Sequence, residues 1–123
     1  MNDKQIDALE KCEAQIEGLY EEIGVLSKKN PSNALNKFKL KFVNTVLAAA
    51  NELLDGKYRP FDDFTQFEED GCPSNSDVVM ILSQYLRSMD KFRQDHTSKD
   101  YGTYYWKGTR EKRQAKRPRL ADM

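Results

Sequence analysis

Few side chains in this sequence combine the type and the spacing that chemistry needs. There is one histidine, His96, directly after Asp95. Neighbours in a helix point in different directions, so the pair has no triad geometry and reads as a helix-end or surface pair. The two cysteines, Cys12 and Cys72, form no C-x-x-C spacing, and no H-x-x-x-H spacing accompanies them, so no zinc site is expected. The six glycines are scattered, and none precedes the Lys-Ser or Lys-Thr of a phosphate loop. Acids gather at Asp62, Asp63, Glu68, Glu69 and Asp70, without the alternating oxygen ligands and central glycine of a calcium loop. A hydrolase built on them would lack a base set against its acid. No catalytic residue, metal, cofactor or small-molecule substrate is therefore expected, and the chain reads as non-enzymatic.

The strongest functional signal is basic. Lys107, Arg110, Lys112, Arg113, Lys116, Arg117 and Arg119 place seven cations within thirteen residues, opposed only by Glu111. Such a run can neutralise phosphates by counterion release. Tyr104, Tyr105 and Trp106 stand just upstream and could stack on exposed bases, the pairing used for single strands. Lys116-Arg117-Pro118-Arg119 also fits a nuclear-import pattern, and a basic cluster does not separate import from nucleic-acid contact. Two further readings stay open. The tail is simply solvated, or it folds back on the acidic connection of its own chain.

The chain has 123 residues, with 20 basic against 20 acidic, so its net charge is zero. That zero is uneven. Residues 1–30 carry −3, 31–58 carry +2, 59–96 carry −4 and 97–123 carry +5. A basic tail thus follows an acidic body. The longest apolar runs are five residues, Val46–Ala50 and Val78–Leu82, far short of the roughly 20 that a membrane helix needs. The N-terminus has no secretory pattern, and two cysteines make no disulfide framework. A reducing, intracellular location is expected: cytoplasmic, or nuclear where the host is a eukaryote or the source a virus of one.

Helical periodicity must position these groups. Residues 4–28 read as a helix with Leu9, Ile16 and Ile23 seven apart and Cys12, Leu19 and Leu26 three further on. This a/d seam predicts a coiled-coil-like helix, with association through Leu9, Ile16, Leu19, Ile23 and Leu26; packing inside its own bundle uses the same spacing. Glu10, Glu13, Glu17 and Glu21 line the side of the seam, a stripe tolerable in water and better opposite a basic partner; Lys37 and Lys41 could lie near it, or the two faces are independently solvated. Ser32 is the expected N-cap of a second helix over 33–55, closed by Asp55-Gly56. Its two apolar stripes are Leu35, Phe38, Phe42, Val46, Ala49, Leu53 and Leu40, Val43, Leu47, Ala50, Leu54. A helix so widely apolar should be buried on several sides, as the central element. The short 30–32 turn predicts antiparallel neighbours. A third helix is expected over 76–94, introduced by a capping-box-like Ser74 and Asp77.

The connection 57–75 sets Tyr58, Phe61, Phe64 and Phe67 three apart among acids. It is either a loop whose rings cap the bundle or an acidic-aromatic docking segment. Residues 101–106 read as a short strand or an extended tail packing back on the helices, and 109–123 as disordered or helical only on binding. The expected fold is all-α: a three-helix bundle over 1–100 and an aromatic, then flexible basic, tail over 101–123. The expected function is a helical adaptor or assembly subunit, pairing with itself or a protein partner through the first helix. The alternative is a nucleic-acid-binding accessory protein that uses the tail.

Overall fold

The computed structural model of the chain describes residues 1–119; residues 120–123, the last of the expected tail, lie outside it. Helix α1 runs Asp3–Lys29. A full capping box starts it: the Asn2 side chain accepts from the Gln5 amide, and the Gln5 side chain accepts from the Asn2 amide. Lys28 and Lys29 sit in its last turn, where the helix dipole favours cations.

Helix α2 runs Lys37–Leu53 and is capped by the Asn36 side chain, not by Ser32. Tertiary backbone bonds delay its start. Leu35 donates to the Pro73 carbonyl and Asn75 to that of Asn33, while Ala34 forms an isolated bridge with Ser74. Those bonds hold 33–35 against the start of the third helix, and Leu35 is buried there. Helix α3 runs Asn75–Asp95, with the Ser74 hydroxyl accepting from the Asp77 amide. Helices α1 and α2 are antiparallel neighbours: Lys39 reaches Glu22 at 2.9 Å, and the Cys12 thiol faces the Val46 carbonyl at 3.7 Å.

The all-α expectation is overturned. Strands β1 (Thr97–Asp100), β2 (Thr103–Trp106) and β3 (Gln114–Ala115) form an antiparallel sheet in the order β1-β2-β3. Thr97 faces Trp106 and Asp100 faces Thr103 across the first pair; Tyr104 faces Ala115 across the second. Tyr101 and Gly102 both have positive φ, 49° and 82°, as a two-residue type I′ hairpin requires. Thr103-Tyr104-Tyr105-Trp106 is also a run of strand-forming residue types. Helical periodicity stops at Asp95 because the chain turns into a ladder of period two.

The flexible-tail expectation is corrected with it. The Trp106 amide donates to the Arg113 carbonyl, Ala115 lies in the core and Pro118 is buried. Gly108 has φ of 83°, and a Cβ there would meet the Met1 nitrogen at 2.9 Å. Only glycine fits where the turn after β2 crosses the chain's first residue.

The core gathers Ile6, Leu9, Ile16 and Ile23 of α1, Leu40, Val43, Leu47 and Ala50 of α2, and Val78, Leu82, Tyr85 and Met89 of α3. Trp106 and Ala115 close it from the sheet. Helix α2 is not central. The stripe that begins at Leu35 opens to solvent at Phe38 and Phe42, 72% and 48% exposed, because the sheet and tail cover α1 and leave α2 on the outside. The 57–75 connection runs along the flank of α2. Asn44 exchanges two bonds with Phe67, and the Asn51 amide donates to the Thr65 carbonyl.

If the α1 seam serves the intramolecular core, Ile16→Ala should lower unfolding free energy by about 2–5 kcal/mol. Urea denaturation measures it, and a loss below about 1 kcal/mol would contradict the packing.

Candidate functional site

Two surfaces emerge from the residues upward: a charge cluster where α1, α3 and the tail meet, and the outward face of α2.

The cluster begins with Arg93, near the end of α3 and only 2% exposed. Its guanidinium donates twice to the Glu13 carboxylate, at 2.6 and 2.9 Å, and Glu13 is 8% exposed. The guanidinium carbon lies 5.7 Å from the centre of the Trp106 ring. The tail then tracks the acids of α1. Arg113 contacts Asp3 and Asp7 at 3.0 and 2.6 Å and Glu10 at 3.6 Å. Lys116 reaches Glu17 at 3.4 Å, Arg119 reaches Glu17 at 3.5 Å, and the Arg119 amide donates to Asp90 at 2.9 Å. The basic neighbour of the glutamate stripe is therefore the tail and not Lys37 or Lys41. Lys37 pairs with Asp70 instead, at 3.3 Å. The target of the tail is α1, not the acidic connection.

The remaining tail residues are placed as follows. Lys112 pairs with Asp100 and lies 4.2 Å from the centre of the Tyr105 ring. Lys107 reaches the Asp95 carbonyl at 3.4 Å. Arg110 and Arg117 are exposed. Trp106 is buried, and Tyr104 and Tyr105 are half-buried, so these three rings do not form an open platform for bases.

In the α1 seam, Leu9, Ile16 and Ile23 have no exposed surface, and Leu19 and Leu26 pack partly buried against the same core. The rings of the 57–75 connection also turn inward. Tyr58 meets Phe92 edge-on at 5.0 Å, and Phe61, Phe64 and Phe67 stack edge-to-face against each other and the core. Their acidic neighbours stay exposed.

Cys12, His96 and Asp95 are held by structural contacts, while the Cys72 thiol is exposed. Burial, and then the charge of Glu13, pushes the Cys12 thiol up to about 11, so it stays protonated and a poor nucleophile. A His96 ring nitrogen lies 2.8 Å from the Phe92 carbonyl, and the ring stacks on Phe92 at 4.0 Å. Asp95 accepts from the Tyr58 hydroxyl at 2.8 Å; that bond and Lys91 hold its carboxyl below the usual range. Among the described residues no group of three His, Cys, Asp or Glu could hold a metal, and no helix is long and apolar enough to cross a membrane.

The surface that periodicity misplaces is the outward face of α2. Phe38 and Phe42 pair edge-to-face at 5.0 Å in the open. Residues 23–51 hold five lysines and no acid, and this charge bias is the one signal in the sequence that sets this stretch apart. No family model, no curated protein and no solved structure matches the chain.

Two measurements probe this arrangement. Arg93→Met leaves the buried Glu13 carboxylate with only Lys116, at 4.0 Å, and should cost about 3–5 kcal/mol, whereas Glu13→Leu with Arg93→Met should regain most of it. Additive losses in denaturant melts would refute the coupling. Burial, followed by the bond to Asp95, raises the Tyr58 phenol from 10.0 to about 12. Since the folded value exceeds the unfolded one, this stability is complete below pH 10 and fades as pH climbs towards 12. Tyr58→Phe should remove that alkaline component in thermal melts taken across the range; an unchanged profile would rule out the assignment.

Proposed function

We propose that this chain is a non-enzymatic assembly module that works by protein–protein contact on the outward face of α2. One observation carries the reading: the Phe38 and Phe42 rings meet each other in solvent on a helix whose opposite side is core. Exposed aromatic pairs are expensive to leave wet, and aromatic rings are the favoured anchors of protein interfaces. Thr45, Ala48 and Ala49 extend the face along α2, all exposed. The expected use of the first helix for association moves to the second, since the α1 seam is occupied by its own core.

Nucleic-acid contact is the second reading. What favours it is that Lys99, Lys107 and Arg110 are exposed and make no ion pair among the described residues. Against it, Arg113, Lys116 and Arg119 already face carboxylates of α1.

Affinity capture from lysate of the source organism, with and without nuclease, separates the two. Wild type, Phe38→Ser with Phe42→Ser, and Lys107→Gln with Arg110→Gln would be compared. The expected result is a protein retained after nuclease treatment and lost only with the phenylalanines. Capture that nuclease abolishes, or that the tail variant alone abolishes, would overturn the reading in favour of the second. So would a phenylalanine variant that retains everything.

A further inference from the structure

The outward face of α2 has a composition that fits itself. At 3.6 residues per turn, positions 38, 41, 42, 45, 48, 49 and 52 share one arc, opposite Val43, Leu47 and Leu54 in the core. One end of the arc is bulky, with Phe38 and Phe42, and the other end is small, with Ala48 and Ala49. Lys41 stands at the bulky end and Glu52 at the small end, both exposed. An open groove of about 430 Å³ lies beside that small end, lined by Ala8, Lys11, Ala49 and Leu53 among others.

We propose that a second copy of this chain is the occupant, with the two α2 helices packed antiparallel about a two-fold axis at Thr45. This rests on the reading that the α2 face is the docking surface, and it names the partner. A two-fold interface must be self-complementary, each contact occurring twice. In this register Phe42 of one copy packs against Ala49 of the other, on the same edge of the arc. Phe38 faces the Glu52 end and the groove beside it. Lys41 comes within reach of Glu52, and Thr45 meets its own counterpart. Phe42 meets a small residue, and Lys41, level with Ala49, stands within one turn of Glu52. A parallel pairing would set Phe38 against Phe38 and Lys41 against Lys41, which crowds the rings and repels the charges. The same pairing covers Phe38, Phe42 and Ala49, the members of the apolar stripe that the isolated fold leaves open, Leu35 and Val46 being buried already.

Sedimentation equilibrium over a range of concentrations should show a dimer. Lys41→Glu and Glu52→Lys should each weaken it by about tenfold, and the double variant should restore it. Both sites are exposed, as is Thr45, so folding is not at stake. In a Cys72→Ser background, which removes the exposed native thiol, Thr45→Cys should form a disulfide-linked dimer under mild oxidation while Ser98→Cys does not. A chain that stays monomeric overturns this inference, and so does a dimer insensitive to Phe42→Ser or a double charge variant no tighter than the singles. A monomer that still captures a protein through Phe38 and Phe42 would refute the second copy while leaving the docking surface standing.

Discussion

The contact between Glu13 and Arg93 ties together most of what is unusual in this fold. It joins α1 to α3 across a separation of 80 residues, and both side chains are almost free of solvent. Taking two charges out of water costs several kcal/mol per ion unless the geometry returns it. Here the return comes from two short parallel bonds and from the Trp106 ring beside the guanidinium. Trp106 can lie there only because β2 pairs with β1 and β3, and that pairing needs the turn at Tyr101 and Gly102. The sheet is thus part of the environment that makes a buried ion pair tolerable, and the tail strand is part of the sheet.

The same contact sets the direction of the tail. Beyond β3, Lys116 and Arg119 approach the Glu17 carboxylate one turn along from Glu13, while Arg113 contacts Asp3, Asp7 and Glu10 on the other side. Each exposed pair contributes about 1 kcal/mol or less. Their effect is mainly one of register: a column of like charges on α1 that would repel itself acquires a matching column of opposite sign. With one side of α1 under α3 and another under the tail, α2 is the helix left at the periphery.

The parts legible in the sequence are those that local rules determine. Seven-residue spacing places α1 within a residue at each end, and Ser74 before Asp77 places α3 as closely. The start of α2 is misleading because Ser32 is a good local cap, but the backbone bonds of 33–35 go to Pro73 and Asn75, partners some forty residues away. The sheet escapes for a related reason. Its strands are two to four residues long, too short for alternation to register, and β3 exists only because β2 is beside it. The candidate residues divide on the same grounds. The seam of α1 is plainly apolar, yet spacing alone does not say whether its partner is in the same chain. Phe38 and Phe42 look inward in the sequence because apolar periodicity marks a face without saying how many neighbours can cover it.

A net charge of zero then has a structural meaning. Three of the tail's cations, Arg113, Lys116 and Arg119, lie against carboxylates of α1, so part of the charge asymmetry is cancelled within the fold. Cations already facing carboxylates offer a polyanion less net field, while Lys99, Lys107 and Arg110 stay exposed. Helix α2 joins this pairing at its N-terminal end, through Lys39 with Glu22 and Lys37 with Asp70. Its outward face keeps the Phe38 and Phe42 rings exposed. Beyond that end, the apolar periodicity of α2 reaches residues that the described fold leaves in solvent.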